Sequence, residues 1–106
     1  MSSSKLPRGW SEWNVEDRLR TPEERRLFLE AALEEGDAEF FQSALGAVAR
    51  AEGMTRLAER TGLNRENLYR ALSPEGNPTL STVLKVVGAL GLRMRLVPSG
   101  VARRRA

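Results

Sequence analysis

Residues 64–70 carry the side chains in this chain that are best suited to specific recognition. The run is Asn-Arg-Glu-Asn-Leu-Tyr-Arg, in which Leu68 is the only aliphatic residue. Arginine can donate two hydrogen bonds to guanine O6 and N7, and asparagine can bond adenine N6 and N7 in the same bidentate way. On an exposed helix, these residue types predict contacts with base edges in the major groove of DNA. The candidate residues are Asn64, Arg65, Glu66, Asn67, Tyr69 and Arg70.

Two of these candidates have an equally good structural interpretation. The sole role of Glu66 can be to balance the charge of an arginine, either Arg65, which is adjacent in sequence, or Arg70, which lies four positions later on the helix. Tyr69 can pack against a neighbouring helix. A short helix rich in arginine and asparagine can also be no more than a solvated surface.

The residues before this run predict the support that it needs. Thr55 is expected to cap a short helix over 56–61, and Gly62 ends it because glycine adopts the left-handed conformation without steric cost. Ala58 is small enough for two helices to cross closely. With Asn64 as the cap of the next helix, over 65–72, the spacing predicts a helix-turn-helix whose second helix enters the major groove.

The first of these two helices supplies candidates for phosphate contacts. The hydroxyl of Thr55 and the first backbone N–H groups of the helix suit an anion, since the helix dipole is positive at that end. Arg56 adds a positive charge beside them. Phosphate contacts of this kind give affinity and register, whereas the second helix gives sequence specificity.

Three further helices are predicted from caps, glycines and apolar periodicity. Thr21, Pro22 and Glu24 form a capping box, and Asp37 and Thr79 are caps of two other helices. The predicted helices end near Gly36, Gly53, Gly62, Leu72 and Gly91. The residues expected to face the core are Leu27, Phe28, Ala31, Ala32 and Leu33, then Phe41, Ala44, Leu45 and Val48, then Leu57, Leu63, Leu68 and Ala71, and finally Leu80, Val83, Leu84 and Val87.

Residues 92–97 alternate apolar side chains with arginines, which is the pattern of a half-exposed strand. A lone strand is not stable, so we expect it to pair within the chain or with a second copy. The fold class is thus mainly α, with five helices and a short C-terminal strand, in one domain over 21–97. We expect a partly disordered extension over 1–20, where Trp10 and Trp13 dock on the body or face a partner, and a flexible basic tail over 98–106.

Composition excludes several classes of function. The chain has 106 residues and contains neither histidine nor cysteine, so it lacks the usual general base, the commonest metal ligand and any thiol nucleophile. We therefore expect no enzyme activity, no metal and no cofactor. No apolar run reaches the roughly 18 residues of a membrane helix, and the start has no signal-peptide core, so a cytoplasmic location is expected.

Charge is distributed unevenly along the chain. Residues 1–40 hold six bases and ten acids, a net charge of −4, whereas residues 41–106 hold 11 bases and four acids, a net charge of +7. A basic half favours a polyanion, and an acidic half favours a basic partner or none.

Residues 41–92 resemble the Xre-type helix-turn-helix domain, the class of the lambda and Cro repressors. The run Arg-Glu-Asn-Leu-Tyr-Arg-Ala-Leu-Ser-Pro-Glu-Gly-Asn-Pro over 65–78 is similar, more narrowly, to HigA-like addiction-module antidote proteins. Two earlier runs match that group as well, namely Arg-Thr-Pro-Glu-Glu over 20–24 and Ala-Ala-Leu-Glu-Glu-Gly-Asp over 31–37. The similarity covers residues 14–96 and leaves the two tryptophans and the Arg-rich tail outside it.

This resemblance implies a lambda-repressor-like fold and a dimeric, DNA-binding antitoxin of a type II toxin-antitoxin module. Such a protein would repress its own operon and neutralise a small basic toxin of the RelE/ParE superfamily. Two alternatives remain open: a stand-alone Xre-type transcriptional regulator, and a protein-interaction module that does not bind DNA. The polar and basic side chains over 65–70 disfavour the second, because a protein-docking helix more often presents apolar residues.

Overall fold

The computed structural model describes residues 19–99, and in that part of the chain every regular element of secondary structure is a helix. Five helices follow one another without an intervening strand. They are α1 (Pro22–Glu34), α2 (Ala38–Glu52), α3 (Met54–Thr61), α4 (Arg65–Ala71) and α5 (Leu80–Ala89). The prediction of five helices is confirmed, and their bounds lie within two residues of the predicted ones.

Side-chain caps fix the start of four of these helices. Thr21 and Glu24 form a reciprocal capping box, in which the Thr21 hydroxyl accepts from the Glu24 N–H and the Glu24 carboxylate accepts from the Thr21 N–H, both at 3.1 Å. Asp37, Asn64 and Thr79 accept from first-turn N–H groups of α2, α4 and α5. All four caps were predicted, because capping depends on residues only two or three positions apart.

The prediction that Thr55 caps the third helix is wrong. Helix α3 begins two residues earlier than predicted, at Met54, and its N-cap is Gly53, with φ at +114° and no side-chain hydrogen bond. Met54 is buried in the core, at 6% exposure, and this packing draws it into the first turn. Thr55 therefore lies inside the first turn, with its side chain exposed.

A single apolar core joins the five helices. Helix α1 packs on α2, and α3 lies at the centre, in contact with α2, α4 and α5. The core begins at Leu19, ahead of the first helix. Its buried residues are Leu19, Phe28, Leu29, Ala32, Phe40, Ala44, Leu45, Val48, Ala49, Met54, Leu57, Leu68, Leu72, Val86 and Val87.

Four leucines that were expected in the core lie at the surface. Leu27 and Leu33 of α1 are both 47% exposed, and Leu80 and Leu84 of α5 are 70% and 49% exposed. The apolar faces of these helices are wider than the contact that each makes with the core, and no other described element covers the remainder. Phe40 and Leu29, which the periodicity did not single out, occupy core positions instead.

The predicted strand over 92–97 is not seen in the single chain that the structure describes. Leu92 donates its N–H to the Val87 carbonyl at 3.1 Å, after which residues 93–97 continue without secondary structure. A ladder needs a second strand, and residues 19–99 contain none.

Some sequence predictions concern residues outside the described part of the chain. These are the partly disordered extension with Trp10 and Trp13, apart from its last two residues, and most of the basic tail. Among the described helices, none combines the length and the apolar character that a bilayer crossing requires.

Candidate nucleic-acid interface

Helix α4 presents its polar side chains outward over a buried anchor. Leu68 is 1% exposed and Leu72, the C-cap, is 3% exposed, so both fasten the helix to the core. The side chains that face away from this contact are all exposed: Arg65, Glu66, Asn67, Tyr69 and Arg70. The predicted set of outward residues on this helix is thus found on one exposed surface, which we call the α4 surface.

Asn64 serves as the N-cap of α4. Its Oδ1 accepts from the backbone N–H groups of Glu66 at 2.8 Å and Asn67 at 3.2 Å. A bidentate contact with adenine needs the amide oxygen as well as the amide nitrogen. Because the oxygen is already engaged, the group that Asn64 has left for a ligand is its Nδ2 donor, which suits a phosphate better than a base.

Two side-chain pairs organise the α4 surface. The Arg65 guanidinium lies over the Tyr69 ring, 5.6 Å from its centroid, in a cation–π contact. Arg70 donates from Nη1 to Asn67 Oδ1 at 3.3 Å. Each pair restricts an arginine that would otherwise sample many rotamers, so part of the entropic cost of ordering it on a ligand is already met.

These contacts bear on the structural interpretation of Tyr69 and Glu66. Tyr69 is 43% exposed and contacts Arg65, so it is not packed away against another helix. Within residues 19–99, Glu66 forms no ion pair with either arginine. Its carboxylate therefore does not offset their charge by direct contact.

The turn between α3 and α4 is fixed by glycine and threonine. Gly62 has φ at +76°, in the left-handed region, and its N–H donates to the Ala58 carbonyl at 3.0 Å. The Thr61 hydroxyl donates to the Leu57 carbonyl at 2.7 Å and accepts from the Leu63 N–H at 3.2 Å. Sequence reasoning found Gly62 but missed Thr61. The Thr61 hydroxyl links the end of α3 to the turn by hydrogen bonds, and this role depends on the conformation of the turn.

The start of α3 is the second part of the candidate interface. Thr55 and Arg56 are exposed in its first turn, where no side chain caps the backbone N–H groups. These donors and the positive end of the helix dipole form a local setting that suits an anion. Helix α3, which carries Thr55 and Arg56, packs directly against α4.

Glu52, at the end of α2, binds three arginines from two helices. Its carboxylate lies 2.5 Å from Arg25 of α1, 3.3 Å from Arg60 and 3.5 Å from Arg56, both of α3, and its side chain is only 13% exposed. The Arg56 side chain is 60% exposed and pairs at the longest of the three distances. Arg56 can therefore turn to another anion while Arg25 and Arg60 still neutralise Glu52.

The loop after α4 is locked to α2 by a residue that sequence reasoning missed. Gln42 donates from Nε2 to the Ser73 carbonyl at 2.8 Å and to the Gly76 carbonyl at 2.7 Å. The loop passes so close to α4 that a Cβ on Gly76 would lie 2.2 Å from the Arg70 carbonyl oxygen. The sole signal in the sequence was a polar residue between two apolar positions of α2.

Charge is separated between the first helix and the candidate interface. Helix α1 and its C-cap carry five acids, of which Glu23 and Glu30 are paired with Arg26 at 2.7 and 3.1 Å. The hydrogen bond and the charge of Arg26 lower the pKa of Glu23. Helix α4 carries two arginines and one glutamate. A polyanion is thus favoured at α4 and disfavoured at α1.

Comparison with known proteins gives two matches. The sequence profile of a family described as "Probable addiction module antidote protein" matches residues 9–98. A Haemophilus influenzae strain Rd protein, described as uncharacterized, is 43% identical over 91 residues, which cover 86% of this chain and 94% of that protein. No solved structure matched the chain significantly.

Proposed function

Because the chain belongs to the addiction module antidote family, we propose that it is an antitoxin that binds DNA through a helix-turn-helix formed by α3 and α4. The observation that carries this proposal is the α4 surface, where polar and cationic side chains face outward while Leu68 anchors the helix beneath them. A helix that docked on another protein would more often expose aliphatic residues there.

The residues of this interface have different roles in the proposal. Arg65 and Arg70 donate to guanine, and Asn67 contacts adenine once Arg70 has released its amide oxygen. Thr55, Arg56 and the first N–H groups of α3 bind a phosphate, as does the Nδ2 of Asn64. Tyr69 positions Arg65, and Glu66 lies where it can accept from a cytosine amino group.

The proposed regulatory form is a homodimer that represses its own operon. Two helix-turn-helix units related by a two-fold axis would place their recognition helices about 34 Å apart, on successive major grooves. The binding site would then be a palindrome upstream of the antitoxin gene.

The proposed toxin partner is a small basic protein of the RelE/ParE type. Helix α1 is the part of the described chain best suited to it, since Leu27 and Leu33 are each 47% exposed and flank Glu30 and Glu34. Exposed apolar residues beside carboxylates complement a basic surface that has an apolar centre.

A DNA-binding titration tests the central part of this proposal. Fluorescence anisotropy would compare a duplex from upstream of the gene with a scrambled duplex, at several salt concentrations. We expect tighter binding to the upstream duplex, and affinity that falls with salt, each phosphate contact adding about 0.9 to the logarithmic slope. Equal affinity for the two duplexes, or a slope near zero, would contradict the proposal.

Co-purification separates the antitoxin from a stand-alone regulator. The full chain would be co-expressed with the small basic reading frame next to its gene. A stable complex supports the antitoxin, whereas a chain that binds its upstream DNA and has no adjacent partner is a stand-alone regulator.

A further inference from the structure

The segment over 92–97 follows α5, has no secondary structure and is largely exposed to solvent; we call it the C-terminal arm. Leu92 still packs against the core, and Met94, Leu96 and Val97 are 38%, 101% and 67% exposed. The backbone groups of residues 93–97 make no hydrogen bond within the described chain. Backbone groups without partners can pair with a second strand.

Helix α5, which precedes the C-terminal arm, exposes an apolar stripe of its own. Leu80 and Leu84 are 70% and 49% exposed and, with Gly88, recur every four residues, so they lie on one face. A Cβ on Gly88 would meet nothing within 4 Å, so another helix can approach closely there. The stripe and the arm thus place two uncovered apolar features on consecutive elements.

We propose that the C-terminal arms of two copies pair as antiparallel strands across a two-fold axis, with Met94 opposite its own counterpart. The α5 stripes of the two copies lie beneath this ribbon. The inference deepens the homodimer of the proposed function by naming its interface. A second copy fits because a two-fold axis pairs the arm with an identical alternating pattern. The backbone groups on the inner edge of each arm then gain partners from the other arm.

Alternation of side chains selects this register. Centring the pair on Met94 sets Leu92 opposite Leu96 on one face and Arg93 opposite Arg95 on the other. One face of the ribbon is then wholly apolar and can cover the α5 stripes, and the other presents four arginines to solvent. A shift by one position sets Met94 opposite Arg95 and Arg93 opposite Leu96, so that neither face is apolar.

Centring the pair on Arg95 is less favourable. It brings Pro98 into the ladder, opposite Leu92, whereas the register centred on Met94 pairs residues 92–96 and leaves Pro98 outside. Proline lacks the N–H that a ladder needs.

Cysteine cross-linking of the full chain tests the register, because the natural sequence contains no cysteine. Directly opposed residues have Cα atoms about 4.5–5.5 Å apart, within the range that a disulfide spans. We expect Met94→Cys to form a covalent dimer under mild oxidation. In the Arg95→Cys variant the two introduced cysteines are diagonal neighbours in the ribbon, about 7–8 Å apart, so we expect little cross-linking. Equal yields, or cross-linking only at position 95, would overturn the proposed register.

Sedimentation equilibrium of two lysine variants tests the interface itself. Leu96 is fully exposed in a single copy, so Leu96→Lys should leave the far-UV circular dichroism unchanged, yet weaken self-association by about tenfold or more. Leu27→Lys, on α1, is the matched control and should associate as the natural chain does.

A natural chain that stays monomeric at every concentration, or a Leu96→Lys variant that dimerises normally, would overturn the interface. These outcomes are distinguishable from failure of the proposed function. A monomer that still prefers its upstream DNA contradicts the interface alone, and a cross-linked dimer without DNA affinity contradicts the DNA-binding proposal alone.

Discussion

Arg65 and Arg70 differ in what holds them from the arginines that are paired with carboxylates. Arg25, Arg56 and Arg60 are paired with Glu52, whereas Arg65 rests on an aromatic ring and Arg70 on an amide oxygen. Neither contact neutralises the charge. Both guanidinium groups therefore keep their full positive charge for an anionic or electron-rich partner, and each is already restricted in its rotamers.

Arg70→Ala tests the proposed base contact. We expect specific binding to the upstream duplex to weaken by about 1–3 kcal/mol, with little change on scrambled DNA, because a bidentate contact with guanine depends on sequence. Anisotropy titrations of both duplexes measure this. Arg26→Ala, on the acidic α1, is the control and should bind as the natural chain does. An equal loss on both duplexes would instead make Arg70 a phosphate contact.

Gly62 is the residue on which the turn before α4 depends. With φ at +76°, Gly62→Ala should lower the free energy of unfolding by about 1–2 kcal/mol, because a Cβ is unfavourable in the left-handed region. Asparagine tolerates that region better, so Gly62→Asn should lose less. Urea unfolding of the two variants measures the difference. Equal stability of the natural chain and Gly62→Ala would show that the turn does not require glycine.

At the scale of helices, the sequence predicted what is local and missed what is long-range. The caps at Thr21, Asp37, Asn64 and Thr79 were predictable because each bonds a residue two or three positions away. The start of α3 was misplaced, because burial of Met54, a tertiary contact, determined it. The exposed residues of α4 were predicted, but the lock that Gln42 forms with the loop after α4 was not.

That lock joins residues 31 and 34 positions apart, so no local pattern reveals it. Gln42→Met removes both donated hydrogen bonds at nearly constant side-chain volume. It should lower the free energy of unfolding by about 1–3 kcal/mol, since the Ser73 and Gly76 carbonyls lose a partner. Urea unfolding checks this, with Glu59→Met, an exposed change on α3, expected to stay within about 0.5 kcal/mol of the natural chain. Unaltered stability of Gln42→Met would mean that water replaces the lock.

At the scale of the whole molecule, the exposed apolar surfaces were the least predictable feature. Periodicity identifies which side chains of a helix are apolar, but it cannot tell how much of that face the rest of the chain covers. Leu27 and Leu33 of α1, together with Leu80 and Leu84 of α5, read as core residues and are exposed. The C-terminal arm shows the same limit, because its strand pattern needs a partner that the described chain lacks.

Separate surfaces for toxin and DNA lead to a prediction about α1. Glu30→Lys should weaken co-purification with the neighbouring basic gene product, since it reverses a charge on the proposed toxin-binding face. The same variant should bind the upstream duplex with unchanged or slightly higher affinity. Pull-down yields and anisotropy measure the two effects. A variant that retains its partner fully would remove this face of α1 from the proposal.

The most direct test of the account is an NMR titration of the ¹⁵N-labelled full chain with its upstream duplex. The account predicts that the largest amide shift changes fall at residues 54–56 and 64–70, with smaller changes over α1. Shift changes that spare α4 and the start of α3, while appearing elsewhere on the molecule, would contradict it.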